Sequence, residues 1–328
     1  MSFWHTLPKP FFAMAPMADV TDVAFRALVA KRGKPDIFWT EFVSADGLYH
    51  TLNGKTFQHS QECENVGNPL LRDLQFMEDQ RPIVAQIFSS KPEMIAYATK
   101  LVATQGFDGV DLNMGCPDRA IERQGAGAAL VKDPSRAVEL IRAAQGASSL
   151  PVSVKTRVGY NKESLDDWLT ALLSAEPAAI TLHLRTRKEM SAVPADWELM
   201  KKAVDIRNKL NPNVLLIGNG DVRDLEDART RAAESGCDGV MLGRSLFGNP
   251  WLFTNRKPET ISLQEKLDAL IELAYEFEKL SPPKHFAILK KHIKAFVTGF
   301  SGAADLRAKL MTAKNAAEMR KILRTTTN

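Results

Sequence analysis

The sequence predicts an α/β fold, a (β/α)8 TIM barrel that is followed by an all-α helical domain. Eight short apolar runs alternate with amphipathic stretches between residues 11 and 250, the pattern of parallel strands joined by helices. Polar residues follow nearly every apolar run, and the pattern becomes purely helical after Pro250. An open doubly wound sheet is the alternative, but it would concentrate such residues at one switch point.

We place the strands at the eight apolar runs, in chain order: 12–17, 36–42, 83–88, 109–114, 152–158, 179–184, 214–219 and 239–243. Helical patterns lie between most of them, and Thr21 or Asp22 is suited to cap the first helix. Further helical patterns cover residues 263–280, 285–300, 303–311 and 316–323, separated by Pro, Gly and Ser breakers. We therefore divide the chain into a catalytic barrel domain, 1–257, and a helical domain, 258–328.

Composition restricts the class of protein. The 328 residues are 45% hydrophobic and 25% charged, which is ordinary for a globular enzyme. No run approaches the roughly 18 apolar residues of a membrane span, and no basic and apolar leader opens the chain. The widely spaced cysteines Cys63, Cys116 and Cys237 favour neither a disulfide framework nor a metal site. We therefore expect a cytoplasmic monomer without a metal ion.

Charge is distributed unevenly along the chain. The net charge is +4, but residues 284–328 carry ten Lys and Arg against two Asp and Glu, a net +8. The remainder, with 33 basic and 37 acidic residues, has a net charge of −4. A basic tail indicates a polyanionic partner, although a solvated helical face would have the same composition.

The residues at the strand ends are candidates for a functional site. Cys116 follows the fourth run, where Gly115 and Pro117 prevent a helix from starting, so its thiol is placed to act as nucleophile, acid or ligand. For a single cysteine, a small buried hydrophobic residue is the alternative. The other strand ends carry Pro16, Met17, Gln86, Asn113, Lys155, Arg157, His183, Arg185, Asn219, Gly220, Asp221, Gly243 and Arg244.

Each of these residues has a structural explanation when taken alone, but a ring of them at one barrel mouth indicates a binding site. Gly220 and Gly243 permit close backbone approach and Arg244 supplies a charged fork, which together favour a phosphate group. A lysine, a histidine and amides facing a planar ring would suit FMN. No GxGxxG pattern follows a strand, which disfavours a separate dinucleotide domain.

Ten segments resemble, in order, those of the tRNA-dihydrouridine synthases. They are 14–22 (MAPMADVTD), 111–117 (DLNMGCP), 125–130 (GAGAAL), 154–157 (VKTR), 181–183 (TLH), 185–187 (RTR), 194–197 (PADW), 218–221 (GNGD), 239–244 (GVMLGR) and 248–251 (GNPW). The resemblance covers residues 11–253 strongly and the tail more loosely. It implies an FMN-bound reductase that acts on uridine in tRNA with NADPH as reductant.

The resemblance also implies functions for individual residues. Cys116 matches the proton donor of the family, which protonates C5 of the uracil while hydride reaches C6. The implied flavin contacts are Pro16 and Met17 beside the ring, Gln86, Lys155 and His183 at its polar edge, and Asn219, Gly220, Asp221, Gly243 and Arg244 at the phosphate end. The expected substrate contacts are Asn113, Arg157 and Arg185 near the base, and Lys291 and Lys294, with His292, on tRNA phosphates.

Two local departures and several rival functions remain open at this point. Leu184 stands where glycine is more usual after the histidine, and segment 188–193 also differs, so the target uridine is not fixed. The rivals are a dihydroorotate dehydrogenase-like flavoenzyme, which needs no basic tail, and a flavin- and folate-dependent RNA methylating enzyme. The intact Cys116, Lys155 and His183 set disfavours an inactive RNA-binding module. A Schiff-base aldolase that uses Lys155 would leave Cys116 and Arg244 unexplained.

Overall fold

The computed structural model describes residues 2–53, 67–254 and 256–326, so Cys63 lies outside the described residues. Eight strands form one parallel sheet, and all eight overlap the predicted runs. They are β1 (Phe11–Met14), β2 (Phe38–Ser44), β3 (Ile83–Phe88), β4 (Gly109–Met114), β5 (Val152–Arg157), β6 (Ala179–His183), β7 (Leu215–Asn219) and β8 (Gly239–Leu242).

The sheet is curled so that its two outer strands approach each other. Its order is β1-β8-β7-β6-β5-β4-β3-β2, and a parallel bridge pairs Ala13 with Ile37 next to β2. Met14 N also donates to Ile37 O at 3.2 Å. Because the strands are parallel and sequential, their carboxyl ends share one edge, which is where polar side chains from distant parts of the chain meet.

Helices alternate with the strands, as the amphipathic stretches predict. The helices up to β8 are α1 (Val23–Gly33), α2 (Ala45–Thr51), α3 (Pro69–Asp73), α4 (Pro92–Thr104), α5 (Arg119–Glu122), α6 (Pro134–Ala147), α7 (Leu165–Ser174), α8 (Glu198–Leu210) and α9 (Leu225–Ser235). Asp22 is the cap of α1, since its carboxylate accepts a hydrogen bond from Phe25 N at 3.0 Å. None of the helices in the described ranges combines the length and apolar character needed to span a bilayer.

In the described ranges four helices follow the last strand, and the first of them packs against α1. They are α10 (Leu263–Glu278), α11 (Lys290–Phe296), α12 (Ala303–Leu310) and α13 (Ala316–Thr326). Glu272 of α10 accepts hydrogen bonds from Lys31 and Arg32 of α1, at 2.7 and 2.5 Å. Predicting one continuous helix over 285–300 is wrong. A 3-10 turn precedes α11, and the Val297 carbonyl accepts a hydrogen bond from Arg307 instead of from a following helical turn.

The interior of the sheet is filled below its carboxyl edge. Trp4, in the N-terminal 3-10 turn, packs in a buried cluster with inward-facing residues of several strands, including Phe11, Trp39, Ile217 and Met241. This packing gives the polar residues at the carboxyl edge a rigid floor.

Candidate active site

Two joined cavities open at the carboxyl edge of the sheet. The larger has a volume of about 350 Å³ and the smaller about 170 Å³. Six residues line both cavities and form the boundary between them: Pro16, Met17, Pro117, Lys155, Arg157 and His183. The two cavities are therefore parts of one cleft.

The cleft collects nearly all the site residues that the sequence predicts. Gln86, Asn113 and Cys116 line the smaller cavity. The larger cavity is lined, beyond the shared residues, by Arg185, Asn219, Gly220, Asp221, Gly243 and Arg244. Lys291 and Lys294 line neither of these two cavities. The predicted contacts of the cofactor and of the substrate base thus share one cleft, whereas the predicted contacts of the tRNA phosphates lie outside it.

Cys116 lies in the smaller cavity, partly exposed, beside a small apolar cluster that includes Phe42 and Phe88. Its backbone carbonyl accepts a hydrogen bond from Ala128 N at 2.9 Å, which closes the loop after β4. Burial raises the pKa of the Cys116 thiol above its usual value. A thiol with a raised pKa keeps its proton at neutral pH, so Cys116 is better suited to act as an acid than as a nucleophilic thiolate.

A chain of hydrogen bonds runs from Asp111 to the backbone of Cys116. The Asp111 carboxylate accepts from Ser153 Oγ and Gln86 Nε2, both at 2.6 Å. The Gln86 carbonyl oxygen accepts from Asn113 Nδ2 at 3.0 Å, and Asn113 Oδ1 accepts from Cys116 N at 2.9 Å. We call Asp111, Gln86, Asn113 and Cys116 the cysteine side of the cleft.

Sequence reasoning missed Asp111, although one signal for it exists. Asp111 and Asn113 are two residues apart on β4, so their side chains point to the same face of the strand. Asp111 is fully buried, and this burial raises its pKa to about 6. A buried carboxylate on the inner face next to a predicted site residue is unusual enough to single out.

Lys155 lies between the two cavities. Its Nζ donates to Asn219 Oδ1 at 3.2 Å. The Asp111 carboxylate favours the charged form of Lys155, but among the described residues Lys155 forms no ion pair. Burial lowers the pKa of Lys155 to about 8, with a further contribution from Arg157. An ammonium group with so little compensation is placed to bind an electron-rich ligand atom.

The opposite end of the cleft carries paired charges. Asp221 accepts hydrogen bonds from Arg185, Arg244 and the backbone N of Ala195, the last at 2.8 Å. The hydrogen bond from Arg185 is the main reason that the pKa of Asp221 falls to about 2. We call His183, Arg185, Asp221 and Arg244 the arginine side of the cleft.

His183 is held in one tautomer by Arg185. The Arg185 Nη1 lies 3.1 Å from His183 Nε2, and a guanidinium can only donate. Nε2 is therefore the acceptor, and the proton resides on Nδ1. Burial lowers the pKa of His183 far below its usual range, so the ring is neutral. Arg185 itself is 2% exposed, and its Nε donates to the Val193 carbonyl.

Arg185 and Arg157 hold protein groups in addition to lining the cleft. Both were expected to bind the substrate base, but both guanidinium groups bind protein carbonyls. Arg157 donates to Gly115 O at 2.8 Å and to Thr186 O and Met190 O at 3.1 and 3.2 Å. Arg157 thereby joins the loops after β4 and β6 while it still lines both cavities.

The basic tail meets the expectation only in part. Lys294 is exposed and Lys291 Nζ lies 3.2 Å from Asp19 Oδ2, close to the mouth of the cleft. Lys284 is an internal ion-pair partner, because its Nζ lies 2.6 Å from Glu41 Oε2 and its side chain is 4% exposed. The expectation that His292 contacts phosphate is wrong, because His292 is buried against Phe25.

A partly exposed thiol, a lysine ammonium group and a pair of arginines thus share one cleft at the carboxyl edge of a parallel sheet, an arrangement typical of an enzyme active site. A family model described as dihydrouridine synthase (Dus) matches residues 13–328. A probable tRNA-dihydrouridine synthase of Staphylococcus epidermidis is 40% identical over 327 residues, 99% of this chain and 96% of that protein. Probable tRNA-dihydrouridine synthase 2 of Bacillus subtilis is 40% identical over 326 residues, with 98% and 95% covered.

Among solved structures, morphinone reductase aligns with a TM-score of 0.50 and 13% identity, over 76% of this chain and 86% of that one. A 2-naphthoyl-CoA reductase complex aligns with a TM-score of 0.52 and 8% identity, over 74% and 49%. These likenesses show a shared fold. The family match and the full-length relatives show more: the chain belongs to the dihydrouridine synthase family and is an oxidoreductase.

Proposed function

We propose that this enzyme reduces the C5–C6 double bond of uridines in tRNA to 5,6-dihydrouridine, with FMN as cofactor and NADPH as reductant. The observation that carries the proposal is the Cys116 thiol in the same cavity as Lys155, whose Nζ donates to Asn219 and has no carboxylate partner among the described residues. Reduction of this bond needs hydride at one carbon and a proton at the other. The thiol supplies the proton, and the family membership supports uridine as the substrate.

The residues of the cleft fit FMN. Lys155 lacks a carboxylate partner among the described residues, so an electron-rich ring edge would stabilise its charge. Pro16 and Met17 would lie against the ring, and Gln86 and the Nδ1 proton of His183 would bond its polar edge. The phosphate end would bind at Asn219, Gly220, Gly243 and Arg244, with Asp221 orienting Arg244. FMN, when bound, supplies hydride received from NADPH.

The chain's own residues supply the other half of the reaction. Cys116 holds a proton on Sγ and delivers it to C5 of the uracil as hydride arrives at C6, which leaves a thiolate that solvent reprotonates. Lys155 and Arg157 favour the negative charge that develops on the uracil carbonyl during the transfer. Asn113 fixes the backbone of Cys116 and so keeps the sulfur on the substrate face.

We also propose the finer organisation of the chain. The curled sheet with its helices forms a closed (β/α)8 barrel over residues 1–257, and residues 258–328 form a helical tRNA-binding domain. A uridine must leave its stack to enter the cleft, at a cost of a few kcal/mol. Contacts of the basic tail with phosphates offset that cost. The enzyme works as a monomer in the cytoplasm, where its RNA substrate and NADPH occur together.

The acid assignment is tested by Cys116→Ala, with Cys237→Ala as matched control. Cys237 is also a free cysteine, buried beside β8. We expect Cys116→Ala to retain bound FMN and its reduction by NADPH, and to lose dihydrouridine formation in unmodified tRNA at least about a hundredfold, the range of general acid catalysis. Cys237→Ala should retain turnover. Dihydrouridine formation by Cys116→Ala at the wild-type rate would refute the assignment.

The tRNA contact of the tail is tested by Lys294→Glu. Lys294 is exposed, and one lost phosphate contact should weaken tRNA binding and lower the slope of log affinity against log salt by about one. Lys209→Glu makes the same charge change at the end of α8, where the helix has returned to the opposite edge of the sheet. Reduction of FMN by NADPH should be unchanged in both variants. Equal tRNA affinities would exclude Lys294 from the interface.

A further inference from the structure

The loop between β1 and α1 (residues 15–22) forms much of the wall that the two cavities share. Pro16 and Met17 line both cavities, and Ala18 lines the smaller one. Asp19 has a left-handed backbone with φ 57°, a conformation that is unfavourable for residues other than glycine. Such a conformation persists only where neighbouring groups hold it in place.

Glu41 of β2 is the group that holds it. Asp19 N donates to one carboxylate oxygen of Glu41, and Lys284 Nζ donates to the other at 2.6 Å. The side chains of Glu41 and Lys284 are 5% and 4% exposed. A register shift between Trp39 and Phe42 interrupts the pairing of β2 at this point, and such a bulge redirects a side chain.

Two further contacts join the same loop to the C-terminal helices. Lys291 Nζ lies 3.2 Å from Asp19 Oδ2, on the solvent side. His292 is 3% exposed and hydrogen-bonded to the backbone of Val20, and its ring centroid lies 4.8 Å from that of Phe25. Residues 284–292 therefore fix the position of the cavity wall through three contacts. Lys291 and His292 contact the loop directly, and Lys284 acts on it through Glu41.

We propose that Glu41 is a positioning residue that, together with Lys284, sets the geometry of the β1–α1 loop from the C-terminal helices. The single carboxylate uses one oxygen for the wall of the cleft and the other for Lys284, which lies in the segment that joins α10 to α11, so a shift of that segment moves the wall. The consequence for FMN rests on the proposed function. Bound RNA that displaces the helices would be sensed in the cleft by this route.

The coupling is tested in the apoprotein by hydrogen exchange with mass spectrometry. Position 284 is far from the loop in sequence. In the Lys284→Met variant we nevertheless expect the peptide over residues 15–22 to exchange at least tenfold faster than in the wild type. Fluorescence titration should show FMN binding weakened by a similar factor. The double variant Glu41→Gln/Lys284→Met removes the charge that Glu41 would otherwise leave unpaired and keeps an acceptor for Asp19 N. Asp73, which lies 3.2 Å from Lys284 in the wild type, retains Arg72 at 3.0 Å, so the double variant should recover most of both losses.

Asp238→Asn is the matched control because it breaks another buried ion pair, Arg207–Asp238 at 2.7 Å, near the amino ends of the strands. It should leave the exchange of residues 15–22 and the FMN affinity as in the wild type. Glu41→Gln alone repeats the test should Lys284→Met fail to fold. Wild-type exchange of residues 15–22 in Lys284→Met would overturn the proposal, since an ion pair that merely docks the helices would loosen only them. If the wild type binds no FMN, the proposed function fails and the exchange result still stands.

Discussion

Around Cys116 the polar groups are joined by hydrogen bonds through buried amides, whereas around Arg185 they are ionised and paired with opposite charge. The cysteine side has one carboxylate, Asp111, whose pKa burial raises to about 6. The arginine side has one carboxylate, Asp221, whose pKa hydrogen bonding from Arg185 lowers to about 2. The pKa of a carboxyl group is thus shifted in opposite directions at the two ends of one cleft.

The difference follows from what surrounds each carboxylate. Asp111 is fully buried and receives hydrogen bonds from the neutral side chains of Ser153 and Gln86. Asp221 is 31% exposed at its side chain and receives two guanidinium groups. Burial favours retention of the Cys116 proton, and the two guanidinium groups favour a bound anion. Each end of the cleft therefore suits a different chemical group.

The largest effect should come from Lys155, which lies where the two sides meet. We expect Lys155→Met to weaken FMN binding by about tenfold to a hundredfold, because a charged hydrogen bond contributes about 1.5–3 kcal/mol. Fluorescence titration of the apoprotein measures this, with Lys132→Met, an exposed lysine, as control. Unchanged FMN affinity would show that the Lys155 ammonium group does not contribute to FMN binding.

The same variant has a second signature in the apoprotein. The pKa of Lys155 is about 8 in the folded state and 10.5 when unperturbed, so the unfolded state binds more protons between these values. Wild-type stability should therefore rise with pH from about 8 to 10.5, and Lys155→Met should remove this rise and have a higher Tm at pH 7. Thermal unfolding across pH measures both. A steeper rise in the variant would contradict the assignment.

An intermediate effect should come from Asp111→Asn, which tests the cysteine side. Asparagine keeps one acceptor oxygen at this position and replaces the other with a donor. The chain is kept where the oxygen faces Gln86 Nε2 and Ser153 Oγ turns to accept, and it is reversed as far as Cys116 N where the nitrogen faces Gln86 Nε2. We expect turnover on tRNA to fall about tenfold, the effect of misplacing a reacting group by a fraction of an ångström, with FMN affinity nearly unchanged. Ser153→Ala removes a bond to Asp111 without reversing any amide and should retain most turnover.

The smallest effect should come from Asp221→Asn, which tests the arginine side. Arg185 and Arg244 lose their common charged acceptor, so we expect FMN affinity to fall several-fold and dihydrouridine formation at saturating FMN to persist. Asp224→Asn is the control, since asparagine caps a helix as well as aspartate and Asp224 caps α9. Loss of turnover at saturating FMN would assign Asp221 to the chemistry.

Asp221 also makes a contribution to stability that depends on pH. Its folded pKa of about 2 is below the unperturbed 3.8, so the contribution is present above about pH 4 and lost as pH falls toward 2. Asp221→Asn should flatten acid unfolding in this range. Acid unfolding followed by circular dichroism checks the expectation.

The sequence predicts the frame of this cleft better than its internal contacts. Hydrophobic runs locate all eight strands to within a few residues, and parallel order then brings their carboxyl ends together. Local pattern cannot show which partner a side chain selects, because Gln86 meets Asp111 and Asn113 only after β3 pairs with β4. For the same reason His292 and Lys284 were counted with the solvated tail, although tertiary packing buries both.

Asp111 accepts hydrogen bonds and donates none when ionised, and this gives the chain of amides leading to Cys116 a direction. Each amide in that chain has its oxygen and nitrogen assigned by its predecessor. Replacement of the carboxylate by its isosteric amide removes the group that assigns this direction, so its effect reaches Gln86 and Asn113 as well as position 111. During divergence of the family, positions 86, 111 and 113 should change together or stay together, and an alignment of relatives would reveal this as correlated substitution.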